Sequence, residues 1–195
     1  DTIMGMITME PLADAIKEAE DRTGVRILRI STPMFPLGPE TPSQGFDPGA
    51  VEAILDEQAA AGVNICMPHT CTTDCLVDRC TRTIRRIEDL VGPIRERGMI
   101  PGLSTHMPEA IVYADETNID VETYISLYNA MGFLMQIEVD WVCRIIHEAR
   151  KPVMTIKPLA AGQLRPFQGL AFAWNTLRNM DMVTVGTMSP REAEA

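Results

Sequence analysis

Pro152–Pro158 (PVMTIKP) is an apolar run interrupted only by Thr155 and Lys157. It is too short for an ordinary helix and reads as a strand buried on both faces, the kind found in parallel sheets. The adjoining residues fit that requirement. A small-residue loop, Leu159–Leu164 (LAAGQL), leads to a helix with Pro166 in its first turn. Phe167, Leu170, Trp174 and Leu177 share one face of that helix, the face expected to point inward. A second buried strand spans Met182–Met188, and Ser189-Pro190-Arg191-Glu192 is a capping box that opens the next helix. Strand, helix and parallel strand form a right-handed crossover.

The same unit recurs along the chain. Thr8 to Thr23 reads as a helix stopped by Gly24, followed by a strand at Val25–Ile30. Asp47-Pro48 caps and starts another helix, and Val63–Met67 is the next strand. Between Leu76 and Arg97, Val77, Cys80, Ile84, Ile87, Val91 and Ile94 recur at steps of three and four, which predicts one long amphipathic helix disturbed at Gly92-Pro93. Strands at Met99–Leu103 and within Thr123–Tyr128 come next, then a helix striped by Leu134, Ile137, Trp141 and Ile145. Strict alternation means an α/β fold with a parallel sheet, either an open doubly wound sheet or a (β/α)8 TIM barrel. No Gly-x-Gly-x-x-Gly follows a strand, which weakens the open sheet. Polar groups at successive strand ends (Thr32, His69, Thr105, His106, Asn129, Lys157, Thr187) favour the barrel. Six strands do not close one, so two more are expected before Asp1, and residues 1–195 read as a single, N-terminally incomplete barrel domain.

At 195 residues and 46% hydrophobic, the chain can bury one substantial core. It contains no run of eighteen apolar residues, and its first residues lack the basic segment of a signal peptide. Five cysteines without disulfide-scaffold spacing suggest reduced thiols in a cytoplasmic protein. A net charge of −10 argues against nucleic acid or an anionic membrane as partner, though not against an anionic cofactor. A small-molecule substrate is expected, and an exposed barrel edge would invite contacts between copies.

Three stretches resemble the aldo/keto reductase superfamily. Pro101–Glu109 (PGLSTHMPE) is similar to the end of that family's fifth strand, Lys157–Leu164 (KPLAAGQL) to the loop after its seventh, and Val185–Glu192 (VGTMSPRE) to its phosphate-receiving helix start. Asp1-Thr2 then falls at the end of its second strand. The resemblance implies a TIM barrel that reduces a small carbonyl with NADP. It places Asp1 and His69 on two members of the catalytic tetrad, but Met6 and Thr32 on the tyrosine and lysine, so the proton donor and its tuner are missing. It also implies that Ser104 and Thr105 bind the carboxamide, Lys157, Leu159, Gly162 and Leu164 the pyrophosphate, and Ser189 with Arg191 a phosphate.

Independently of the resemblance, His69 and His106 at neighbouring strand ends are candidate acid–base or substrate-binding groups. With Cys71 and Cys75 they could instead hold zinc for a lyase, isomerase or hydrolase, although the spacing is not diagnostic. Cys71 as a nucleophile is a further alternative. The bland role of either imidazole is a hydrogen-bonded, half-buried histidine, and a barrel that has lost catalysis would keep both. Cys80, Trp141 and Trp174 are expected in core stripes, His147 in a structural or solvated position, and Asp115, Glu116, Asp120 and Glu122 in a solvated loop.

Overall fold

A computed structural model describes residues 1–194. In chain order its elements are β1 (Thr2–Gly5), α1 (Leu12–Thr23), β2 (Leu28–Ser31), α2 (Thr41–Gln44), α3 (Pro48–Ala60) and β3 (Ile65–Cys66). Next come α4 (Thr70–Leu76), β4 (Val77–Asp78), β5 (Thr83–Ile84), α5 (Glu88–Glu96), β6 (Ile100–Ser104) and α6 (Glu109–Thr117). The remainder is β7 (Thr123–Leu127), α7 (Val139–Glu148), β8 (Val153–Ile156), α8 (Pro166–Thr176), β9 (Met182–Thr184) and α9 (Pro190–Glu194). Seven strands pair in the order β1-β2-β3-β6-β7-β8-β9, every pairing parallel. The sheet curls into a nearly closed α/β barrel, as the alternation predicts.

Two apolar layers arise from strand parity. Register partners Ile125 and Met154 join Ile30, Met67, Met4, Ile65 and Ile156 to fill the axis. The opposite faces meet the helices in a larger core that includes Leu55, Ile87, Ile94, Ile111, Tyr124 and Ile146. Burying each such side chain is worth about 1.5–3 kcal/mol. Gly102 has no side chain for a reason: a Cβ there would lie 2.8 Å from the Thr123 carbonyl and 3.0 Å from Met67. Met67 occupies the space and plugs the axis.

Local signals hold in several places. Asp47 accepts from the Gly49 N–H at 3.0 Å to cap α3, and Gly24 ends α1 in the left-handed region. Ser189 accepts from the Glu192 N–H at 3.3 Å.

Three expectations need correcting. Thr2–Gly5 is a strand, which makes seven rather than six, and Asp1 stands at its start. Leu76–Arg97 is not one helix. Val77 pairs with Ile84 and Asp78 with Thr83 in an antiparallel hairpin, and only Glu88–Glu96 is helical. The Asp78 carboxylate accepts from the N–H groups of Cys80 and Thr81 and from Arg85, which nails the turn. The apolar spacing misled because Val77 and Ile84, seven apart, face each other across a hairpin as readily as they stack on a helix. Cys80 is exposed in the turn rather than buried.

The third correction concerns the aromatic stripes. Phe167 and Trp174 are 84% and 63% exposed, and Trp141 is 56% exposed. Helix α8 instead packs through Gly169 and Ala173, and any Cβ at Gly169 would overlap the Pro158 carbonyl. Close approach of helix to strand end selected the small face, which periodicity of large residues does not reveal.

Candidate active site at the C-terminal rim

β3 runs through Met67 and Pro68 to His69, whose N–H donates to the Pro33 carbonyl at 2.9 Å and so ties this strand end to the end of β2. The His69 carbonyl accepts from Thr72 and Thr73 to start α4, and its ring Nδ1 accepts from the Cys71 N–H at 3.2 Å. With Nδ1 accepting, the neutral ring carries its proton on Nε2. One strand along, β6 delivers Thr105 and His106 to the same rim.

The two are fastened by Asp74 of α4. Its carboxylate accepts from Thr105 Oγ1 at 2.5 Å, from Thr70 Oγ1 at 2.7 Å and from the His106 N–H at 3.1 Å. His106 has a pKa below its ordinary 6.5: burial is the main cause, opposed by Asp74 and reinforced by Lys157 and His69. His106 therefore lies within electrostatic reach of the other three at one rim, and its lowered pKa favours the neutral ring at pH 7.

Lys157 follows β8 with φ of 58°, a left-handed conformation in a non-glycine residue that also precedes a proline. Its carbonyl accepts from Ala160 at 3.0 Å, and Ala160, Ala161 and Gly162 are left-handed in turn. The Leu159 carbonyl accepts from the N–H groups of Gly162 and Leu164, which closes the loop on itself.

Not every expected residue gathers here. Asp1 is exposed at the N-terminal start of β1, on the rim opposite His69, so it cannot act with it. Parallel pairing of β1 with β2, in which the Leu28 N–H donates to the Asp1 carbonyl, fixes that direction. Thr105 is fully buried and its hydroxyl belongs to Asp74, and Ser104 is buried beneath it. The Thr105 hydroxyl is thus occupied, whereas that of Ser104 has no hydrogen-bond partner among the described residues. Ser189 is engaged as the cap of α9, and Arg191 is exposed beside it. Asn129, fully buried, binds the N–H groups of Met131 and Phe133 and holds its own loop. Cys71 and Cys75 are exposed, and among the described residues no three His, Cys, Asp or Glu side chains converge as a metal site, which removes the support for zinc.

Asp74 is the group that sequence reasoning missed. Its signal was Thr70 and Asp74 at a spacing of four beside His69, which places hydroxyl and carboxylate on one helical face. Two surface clefts lie away from this rim. One of about 440 Å³ is lined by Glu20, Arg26, Arg29 and Asn64 at the strands' starting rim, where Arg29 already donates to both Glu20 and Asn64.

No protein-family model matches the sequence, and no curated protein does. Solved structures do. The "putative aldo-keto reductase" of Pseudomonas aeruginosa superposes with a TM-score of 0.65 at 14% identity, covering 98% of this chain and 73% of that one. Proteus mirabilis N-acetylneuraminate lyase gives 0.56 at 14% identity, over 85% of this chain. A 2,3-dimethylmalate lyase gives 0.55 at 12% identity, over 93% of this chain. The chain spans only 57% and 61% of the two lyases. At such identities the likeness establishes the TIM-barrel fold alone.

Proposed function

We propose that the C-terminal rim is an acid–base active site for a small polar metabolite, with His106 as the base and His69 as the hydrogen-bond donor. The observation that carries this is His106 on the strand end next to that of His69, half-buried and with its main chain pinned by Asp74, burial holding its pKa below 6.5. A neutral imidazole near pH 7 accepts a proton from carbon or oxygen, and the Nε2–H of His69 is free to polarise the acceptor atom. Chemistry of this kind is that of a lyase or isomerase, and it needs neither a tyrosine at position 6 nor a lysine at 32.

Deuterium exchange tests it. Small hydroxy and oxo acids incubated in D2O should lose carbon-bound proton signals in the NMR spectrum, and His106→Gln should slow the loss about 10²–10⁴-fold. Exchange with no probe, or exchange indifferent to His106→Gln, would sink the reading.

A second reading keeps NADP. The left-handed residues Lys157, Ala160, Ala161 and Gly162 and the exposed Arg191 fit the phosphate half of a dinucleotide. On the carboxamide side Thr105 is bonded to Asp74, which leaves the Ser104 hydroxyl to meet the amide. Nucleotide binding is the whole of this second reading. NADPH at a hundredfold over its dissociation constant should raise stability by about 2.7 kcal/mol in a thermal scan if it binds.

A further inference from the structure

The chain has three lysines, and their surroundings differ. Lys17 is paired with Asp21 at 2.5 Å, and Lys151 donates to the Val121 carbonyl at 2.7 Å. Among the described residues Lys157 makes neither a hydrogen bond nor an ion pair through its Nζ. It is also the lysine that stands at a strand's C-terminal end, beside β7 on one side and β9 on the other. Its backbone is held where a side chain before proline seldom sits, and such strain persists only where the surroundings enforce it. Lys157 is exposed, so its amine is open to an incoming substrate. An unpartnered amine carried on a strained strand end, with two imidazoles and a carboxylate at the same rim, has the composition of a nucleophile with its proton carriers.

We propose that Lys157 is a covalent catalytic group that condenses with the carbonyl of a small aldehyde, ketone or 2-oxo acid to form an imine. The Lys157 ammonium first gives one proton to the neutral His106 ring. The freed Nζ lone pair then attacks the carbonyl carbon, forming the C–N bond while the C=O electron pair moves onto oxygen, which accepts a hydrogen bond from His69 Nε2–H. A proton passes from the nitrogen to that oxygen and leaves a neutral carbinolamine. The His106 imidazolium returns its proton to the hydroxyl, which departs as water as the nitrogen lone pair closes C=N. Of the three ammonium protons, one stays on the iminium nitrogen and two leave in the water, with no oxidant or reductant consumed. The iminium withdraws electrons from the adjacent carbon, so the proton His106 abstracts in the acid–base reading becomes easier to remove. The proposal rests on that reading and names its substrate class.

Reductive trapping separates the two. The protein is incubated with pyruvate, and in parallel with propanal, and sodium borohydride is added. Intact mass should rise, for pyruvate, by one pyruvic acid less one oxygen atom, and peptide mapping should place the adduct on Lys157. Lys157→Arg, which keeps the charge but cannot form the imine, should lose the adduct while unfolding at the wild-type temperature. His106→Gln should slow labelling about 10²-fold. Label spread evenly over Lys17, Lys151 and the N-terminal amine would overturn the proposal. Deuterium exchange that persists without trapping would overturn the role of Lys157 alone, and absence of both in the folded wild type would overturn the acid–base reading with it.

Discussion

The two rims of this barrel are built from similar side chains used in opposite ways. At the rim where the strands begin, charges satisfy one another. Asp181 accepts from the Val153 N–H at 2.9 Å and from the Arg178 guanidinium, which also donates to the carbonyls of Ala149 and Lys151. Asp115 accepts from the Tyr124 hydroxyl at 2.7 Å and the Arg150 N–H at 2.8 Å, and Arg95 is forked onto Asp120. At the rim where the strands end, one carboxylate does comparable bracing, and the Nε2 of His69, the ring of His106 and the amine of Lys157 are left uncommitted. Closed polar networks stabilise. Open ones leave valences for a substrate.

That contrast can be broken by mutation. Asp181→Ala removes a fully buried carboxylate side chain and strands Arg178 and the Val153 N–H, so urea unfolding should show a loss of about 3–5 kcal/mol. Asp74→Ala at the other rim orphans the Thr70 hydroxyl and the His106 N–H at a half-buried site and leaves Thr105 only the Met107 carbonyl, and a smaller loss of about 1–3 kcal/mol is expected. It should also abolish exchange, because His106 loses its anchor. Equal losses at the two sites would erase the distinction.

Lys157→Gly should act in the other direction. Relieving a left-handed side chain is worth about 1–2 kcal/mol, offset by the backbone freedom of glycine, so a gain of up to about 1 kcal/mol with lost trapping is expected. A destabilised variant would mean that the strain is not there. The smallest effect is that of pH. His106 binds its proton less readily folded than unfolded, so its contribution to stability is complete above 6.5 and declines as pH falls below that value toward its folded pKa. Exchange should fade over the same acid interval. Asp78 loses its stabilisation in a more acidic window, its pKa lowered to about 2 chiefly by Arg85. That stabilisation is complete above 3.8, and the hairpin should loosen only as pH falls from there toward 2.

The legible parts were those in which neighbours in sequence decide the outcome. Strands buried on both faces, the Asp47 cap and the location of His69 and His106 at adjacent strand ends came from local pattern. What escaped depended on distant groups. The turn after Asp78 is fixed by Arg85, seven residues on, and the hairpin is held against α6 by Arg79 on Glu109 and Arg82 on Glu116. Asp74 acquires its role only when β6 lies alongside α4. The inward face of α8 is set by how near Pro158 comes to Gly169, so Trp174 turned outward against its hydropathy. Asp1 was placed by analogy to a strand end, and pairing with β2 put it at a strand start.

The axis below the site is shared by Met4, Met67 and Met154 with four isoleucines. Unbranched thioethers change shape by bond rotation at little cost, whereas branched side chains would resist. The part of the floor able to yield to a guest is thus its sulfur-bearing arms. Met67 is fully buried against Gly102, so a sulfoxide oxygen there would have to displace its neighbours.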